Sequence, residues 1–289
     1  MRPEESELYK ERSTPTAEEA KFLKLCENDD SEELKRMLGA DPNIKLAILK
    51  KYTNDETIFH KLAWWRSKNA LRTTLSFMSS FSTQYKNYKD SKKSKENQGT
   101  MKYKADFRFI QNYEDSMDEE EKEEYERAGK TFLEQFLDEK DASGCTALQN
   151  AILRYVPRSA GNDRLSEDSE LCIRLIADRQ YDYNSQDNTG MTPIMDAISS
   201  GHLEIVRILL ERSCSRPDES QKRDAAEMVN PYLEDKRENN LKVYVEDATD
   251  EIRDYFIKYF EILDPEVFLQ EERKQEERKK RKSPVEIDS

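Results

Sequence analysis

Apolar residues between positions 187 and 211 recur with the spacing of two short helices. Ile194, Ala197 and Ile198 stand at positions i, i+3 and i+4 of the first. After Gly201, a second apolar stripe follows: Leu203, Val206, Leu209 and Leu210. Each predicted helix has only about two turns, so neither can bury its apolar face alone. The pattern therefore predicts a stack of similar helix pairs.

Residues that begin and end helices flank these two stripes. Thr192 is a predicted N-cap, and Pro193 takes the first helical position, where a missing N–H is tolerated. Gly201 is predicted to end the first helix in a left-handed conformation. Turn-forming residues precede the cap, and we expect a positive φ or a close turn at Gly190 and Gly144.

The order of these residues resembles the ankyrin repeat, a helix–turn–helix unit with a period of about 33 residues. The resemblance is carried by Gly190, Thr192, Pro193, Ile194, Ala197, Gly201, His202, Val206, Leu209 and Leu210. Met195 departs from it, since the family has a histidine there, and Asp196 replaces an apolar residue. The resemblance implies an all-α ankyrin-repeat solenoid with short hairpin loops, charged insertions and a C-terminal helical cap.

Two earlier segments resemble the same unit. In residues 57–63, Thr57 and His60 match the polar pair that ties a helix start to its adjoining loop. Residues 141–152 open another repeat at Thr146. Since the spacing between these two threonines exceeds the family's period, the sequence leaves open whether a degenerate repeat lies within residues 82–140.

The resemblance and the changes in composition predict an order of segments along the chain. They are a flexible N-terminus (1–16), a capping repeat with a first ankyrin-like repeat (17–81), a charged insertion (82–127), ankyrin repeats (128–216, with an inter-helix insertion in 141–186 and the clearest repeat in 187–216), a C-terminal helical cap (217–263) and a charged helical or disordered tail (264–289).

The predicted insertion has two halves of opposite charge. Lysines between Lys86 and Lys104 alternate with tyrosines, which would suit an anionic nucleic acid or lipid surface. Carboxylates dominate from Glu114 to Glu126. Because the halves can neutralise each other, we favour a solvated insertion over a binding patch.

Composition limits the classes of protein that fit. The 289 residues are 35% hydrophobic and 38% charged, with a net charge of −13, which suits a thin-cored solenoid and disfavours nucleic acid as a partner. The cysteines Cys26, Cys145, Cys172 and Cys214 are scattered, so we expect reduced, mostly buried thiols and a reducing compartment. Without an apolar leader or a long apolar run, we expect neither secretion nor a membrane span, and predict a cytoplasmic or nuclear location.

No group of residues predicts catalysis, a cofactor or a metal site. The two histidines, His60 and His202, both match structural positions of the repeat. The leading hypothesis is therefore a monomeric, non-enzymatic adaptor or scaffold that binds a partner protein. The alternative is a nuclear inhibitor-type regulator that masks a basic segment of its partner.

The resemblance implies partner contacts on a concave surface of hairpin tips and inner helices. It assigns Asn188, Thr189, Met191, Ser199 and Ser200 to this surface in the clearest repeat, and Ala142, Ser143 and Cys145 in the one before. Trp64 and Trp65, the two tryptophans of the chain, match Ser199 and Ser200 when counted from Thr57. They are predicted either to be binding hot spots or to be buried beneath the insertion.

A basic cluster near the C-terminus has two interpretations. Arg278, Lys279, Lys280, Arg281 and Lys282 precede a Ser-Pro pair and resemble a nuclear-import signal. A solubilising charged end is the alternative.

Overall fold

The computed structural model describes residues 15–40, 48, 51–93, 131–179, 182–214, 229–230 and 233–262. All secondary structure in these ranges is helical, as the sequence predicts. The chain forms two compact units, residues 1–188 and 189–289.

The first unit contains seven described α-helices. They are α1 (Ala17–Glu27), α2 (Ser31–Ala40), α3 (Ile58–Trp65), α4 (Lys68–Lys93), α5 (Phe132–Asp138), α6 (Ala147–Leu153) and α7 (Asp163–Ala177). Single 3₁₀ turns occupy Thr53–Asp55 and Arg158–Ala160. Four of these helices, α1, α3, α5 and α6, begin with a capping box, in which a threonine hydroxyl and the side chain three residues later satisfy each other's backbone N–H groups.

The helices of the first unit pack as three successive pairs. The inner helices α1, α3 and α6 contact one another in that order, and the outer helices α2, α4 and α7 do the same. Within the pairs, α1 contacts α2, α3 contacts α4, and α6 contacts α7. Because α3 packs directly on α6, the repeats that begin at Thr57 and Thr146 are neighbours, and no described helix pair separates them.

Helix α4 continues to Lys93, well beyond residue 81, where the first ankyrin-like repeat was predicted to end. Phe77 and Phe81 stack with ring centroids 6.1 Å apart, and the side chains of Phe81 and Tyr85 are buried. Helix α5 packs against this extension. Apolar burial thus continues the helix past the predicted start of the charged insertion at residue 82. Residues 94–127, the remainder of that insertion, lie outside the described ranges.

Helix α7 also differs from expectation. It begins at Asp163, within the segment predicted to hold the inter-helix insertion, because the Asn162 side chain accepts a hydrogen bond from the Leu165 backbone N–H and caps the helix. The predicted inter-helix loop is therefore shorter than its composition indicates.

The second unit contains two described helix pairs. They are α8 (Pro193–Ser199) with α9 (Leu203–Cys214), and α10 (Leu241–Glu246) with α11 (Asp250–Ile262). Helix α8 contacts α10, and α9 contacts α11. The predicted amphipathic C-terminal helix is α11, whose Ile252 and Phe256 are buried.

Local predictions for α8 are confirmed. The Thr192 hydroxyl accepts from the Met195 backbone at 3.5 Å, Pro193 begins the helix, and Gly201 has a φ of 71°. The predicted positive φ is also present at Gly144 and Gly190. Within the described ranges, no helix is long and apolar enough to cross a membrane.

Candidate protein-interaction surface

The hairpin at residues 141–145 is built around one aspartate. The Asp141 carboxylate accepts from the backbone N–H groups of Ser143 and Cys145, at 2.8 and 3.0 Å, and from the Asn150 amide at 2.9 Å. The Asp141 N–H donates to the Cys145 carbonyl, and Gly144 supplies the left-handed residue with a φ of 76°. The next residue, Thr146, caps helix α6. One side chain therefore fixes the whole hairpin relative to the inner helix.

The second unit contains a hairpin of the same design at residues 235–239. The Asp235 carboxylate accepts from the backbone N–H groups of Arg237 and Asn239, at 2.8 and 2.9 Å. The Asp235 N–H donates to the Asn239 carbonyl, and Glu238 holds the left-handed position with a φ of 66°. Asn240 then caps α10.

Sequence reasoning missed this hairpin because residues 235–240 contain neither a glycine like Gly144 nor a capping threonine like Thr146. One signal could have found it: Asp141 and Asp187 each stand five residues before a capping threonine, and Asp235 stands five before Asn240. Residues 235–262 thus have the local form of another repeat, within the segment predicted as a helical cap.

The Tyr244 hydroxyl also donates a hydrogen bond to the Asp235 carboxylate, at 2.6 Å. The Asn150 amide makes the equivalent bond to Asp141 in the earlier hairpin. Burial alone would raise the pKa of Asp235. The hydrogen bonds from Tyr244 and from the Asn239 and Arg237 backbones outweigh it and hold that pKa below its usual value. Burial, with the bond to Asp235, raises the pKa of Tyr244 to about 12. The tyrosine hydroxyl lies 2.8 Å from the sulfur of half-buried Met191.

Backbone hydrogen bonds tie each hairpin tip to its neighbour within a unit. In the first unit, Ala142 N–H donates to the Asn54 carbonyl at 2.8 Å, and Asn188 N–H donates to the Ser143 carbonyl at 3.0 Å. In the second, Lys236 N–H donates to the Thr189 carbonyl at 2.9 Å. We call residues 142–143, 188–189 and 236–237 the hairpin tips. Their side chains are exposed and differ from tip to tip, while their backbones are held in place by these hydrogen bonds.

The predicted Thr57–His60 pair is present, and it reaches into the next repeat. Thr57 N–H donates to His60 Nδ1 at 3.1 Å, so Nδ1 carries a lone pair and Nε2 carries the proton. Nε2 then donates to the Cys145 carbonyl at 2.9 Å. Burial lowers the pKa of His60. This effect exceeds the opposite effects of the hydrogen bond to Cys145 and of the nearby carboxylates, which raise the pKa. His60 is thus a neutral structural histidine.

We expect acidification to destabilise the first unit through His60. Its folded pKa lies below the unfolded value of 6.5, so its contribution to stability is present above that pH and is lost as the pH falls towards the folded pKa. Urea unfolding followed by tryptophan fluorescence, between about pH 7.5 and about pH 5.5, measures this slope.

His60→Gln is the matched variant, because Gln149 fills the equivalent place in the next repeat and accepts from Thr146 N–H at 3.1 Å. This variant should weaken the dependence of the urea-unfolding free energy, followed by tryptophan fluorescence, on pH. The half-buried His202, whose pKa burial also lowers, stays intact in both proteins. An unchanged slope in His60→Gln would show that His60 does not titrate with unfolding.

The ends of the inner helices α3 and α6 form a second exposed feature. Trp64 is 46% exposed, and the Arg154 guanidinium lies over its ring, 3.0 Å from the centroid. Arg66 donates two hydrogen bonds to the Arg154 carbonyl, at 3.0 and 2.8 Å. Leu153, beside Arg154, is 53% exposed. Sequence reasoning selected the tryptophans but missed Leu153 and Arg154, although Leu153 stands as far from its capping threonine as Trp64 does.

The remaining predicted contact residues fall into three groups. Ser199 and Ser200 are exposed at the end of α8, and Trp65 is half-buried with the Lys61 ammonium 5.9 Å from its ring centroid. Cys145 is buried, and its backbone carbonyl serves His60. The basic cluster at 278–282 lies outside the described residues, and so do residues 94–127 of the insertion proposed to cover the tryptophans.

Among the described residues, no group of three or more His, Cys, Asp or Glu side chains is arranged to hold a metal ion. Cys26, Cys145 and Cys172 are buried free thiols, as predicted for the cysteines. Burial, with a contribution from Asp29, raises the pKa of both Cys26 and Cys172 to about 12, so these thiols stay protonated at neutral pH.

Comparison with known families identifies the kind of protein. The ankyrin-repeat family model matches residues 189–220, which include α8 and α9. The chain therefore carries an ankyrin repeat in the segment where the sequence resemblance is clearest. No curated protein matches the chain. Ankyrin repeats are in general modules of protein–protein interaction, so the exposed hairpin tips are candidate contact residues.

Proposed function

We propose that the chain is a non-enzymatic adaptor or scaffold, built as an ankyrin-repeat solenoid. It binds a partner protein through its hairpin tips and inner-helix ends, in the cytoplasm or the nucleus. The family match supports the protein-interaction role. The successive helix pairs of the first unit support the repeated architecture.

The observation that carries the proposal is the fixed backbone of the tips. Asp141 and Asp235 each bind the backbone of their own hairpin, and neighbouring tips are joined by backbone hydrogen bonds. A contact surface that is already ordered loses little conformational entropy when a partner binds. The exposed side chain of Ser143 can therefore serve recognition, whereas the Asn188 amide also ties the tips together by donating to the Ala142 carbonyl at 2.9 Å.

A single arginine placed at a tip tests the proposal. Ser143→Arg puts a bulky cation on the exposed tip and leaves the backbone bonds in place. We expect it to reduce capture of bound proteins by about tenfold or more, as for the loss of a hot spot. The measurement is affinity capture by the full chain with quantitative mass spectrometry.

Ser159→Arg is the matched control. Ser159 is exposed in the 3₁₀ turn between α6 and α7, away from the hairpin tips in sequence. It should leave capture unchanged, and both variants should keep the helical circular-dichroism spectrum. Equal capture by the two variants would exclude the Ser143 tip from the binding surface.

A further inference from the structure

We propose that the exposed ends of α3 and α6 bind a partner segment that combines a carboxylate with an apolar side chain. The site consists of Trp64, Leu153, Arg66 and Arg154, which we call the Trp64–Leu153 patch. The inference rests on the proposed function and specifies the chemistry of the partner.

The apolar half of the patch comes from equivalent positions of adjacent repeats. Trp64 and Leu153 are each the seventh residue after a capping threonine, Thr57 and Thr146. Because α3 packs on α6, equivalent positions lie on the same side of the inner helices. Both side chains are about half exposed. Tryptophan is enriched among binding hot spots, and together the two side chains offer an apolar side chain a place to bury.

The charged half of the patch consists of two guanidinium groups. Arg154 stacks on the Trp64 ring, and Arg66 donates to the Arg154 backbone carbonyl. Neither guanidinium forms an ion pair with a carboxylate in the described ranges. Two nearby lysines, by contrast, do form ion pairs: Lys61 with Glu56 at 2.8 Å, and Lys68 with Asp168 at 2.5 Å.

Two uncompensated guanidinium groups beside exposed apolar side chains favour a partner carboxylate. Guanidinium binds carboxylate with two parallel hydrogen bonds, which fixes the orientation of the bound segment. The net charge of the chain is −13, but screening limits its reach to about 8 Å at physiological salt. The local charge of the patch therefore decides which segment is selected there.

The backbone at Arg66 allows a variant that removes the guanidinium without straining the chain. Arg66 has a φ of 60°, a left-handed conformation that favours glycine. Gly201 occupies the same place in the repeat that the family model matches, with a φ of 71°. Arg66→Gly is consequently a variant whose backbone conformation is easily accommodated, although it lacks the guanidinium.

The test selects short random peptides displayed on phage against the full-length chain. We expect the selected peptides to be enriched in Asp or Glu close to Leu, Phe, Ile or Trp. Their affinity for the full chain should fall about tenfold or more in Trp64→Ala and in Arg154→Gln. Leu165→Ala, which removes another exposed leucine (39% exposed) on α7, should leave the affinity unchanged.

Removal of the peptide's negative charge provides a second test of the proposal. A selected peptide with its Asp and Glu changed to Asn and Gln should bind wild type and Arg154→Gln equally, because the group that Arg154 recognises is gone. Fluorescence reports the same site directly: Trp65→Phe leaves Trp64 as the remaining tryptophan, and acidic peptides should shift its emission.

Three outcomes would overturn the proposal. The first is selection without enrichment of acidic residues. The second is binding that Ser143→Arg abolishes and Trp64→Ala leaves unchanged, which would retain the proposed function while moving the site to the tips. The third is peptide binding that appears only after residues 114–126 are deleted, since the patch would then hold the chain's own acidic segment. Arg66→Gly must keep the helical spectrum and lose affinity for the acidic peptides in the same assay.

Discussion

Gly190→Ala is expected to destabilise the second unit by about 2–5 kcal/mol. Gly190 has a φ of 86°, where an L side chain is strained. An added Cβ would lie 2.7 Å from the Asp235 Cα and 2.9 Å from the Lys236 nitrogen. These are backbone atoms of the neighbouring hairpin and cannot rotate away. The Lys236–Thr189 hydrogen bond between the tips should therefore be lost as the hairpins separate.

Two other glycines are suitable controls for this change. Gly201→Ala has a similar φ of 71° with no atom within 4 Å of the added Cβ, so it should show the backbone strain alone, about 1–2 kcal/mol. Gly39 lies within α2 with open space around it, and Gly39→Ala should be neutral or slightly stabilising. Urea unfolding followed by circular dichroism measures all three. Equal losses at positions 190 and 201 would show that the hairpin contact contributes nothing.

Leu209→Ala is expected to cost about 2–5 kcal/mol, the range for a buried leucine that leaves a cavity. Leu209 is buried in α9, which packs against α8 and α11. The cavity would open between those helices, and their short length leaves few other contacts to compensate. A lowered midpoint of urea unfolding by circular dichroism is the measurement.

Val243→Ala and Leu209→Met are the controls for this variant. Val243 is one of the exposed apolar residues of the same unit, so its truncation should cost little. Leu209→Met conserves volume and should cost less than about 1.5 kcal/mol. If Leu209→Ala is no worse than Val243→Ala, the side chain does not hold α9 in place.

The buried histidine and the hairpin aspartates show how these repeats separate stability from recognition. His60 and Asp141 are engaged with backbone groups, so changes there are expected to alter folding. Exposed tip residues such as Ser143 have side chains that support no helix, so their substitution is expected to alter binding alone. Stability and partner capture, measured on the same variants, test this division.

Local sequence determined the helix starts, the left-handed glycines and the family. Thr192, Pro193 and Gly201 act within one helix, and their preferences depend on backbone geometry that neighbouring residues already fix. The Thr57–His60 pair was likewise readable, because three residues on a helix bring the two side chains together. The predicted C-terminal helical cap likewise contains a helix, α11.

Tertiary structure alone decided which distant residues meet. The contact of His60 with the Cys145 carbonyl, and of Arg154 with the Trp64 ring, joins residues of different repeats. The continuation of α4 depends on burial of Phe81 and Tyr85, which the flanking lysines conceal in the sequence. The hairpin at Asp235 lacks a glycine, and the Lys236–Thr189 hydrogen bond joins it to a tip far away in the sequence. Such features follow from contacts between segments far apart in the chain, whose energies no local pattern contains.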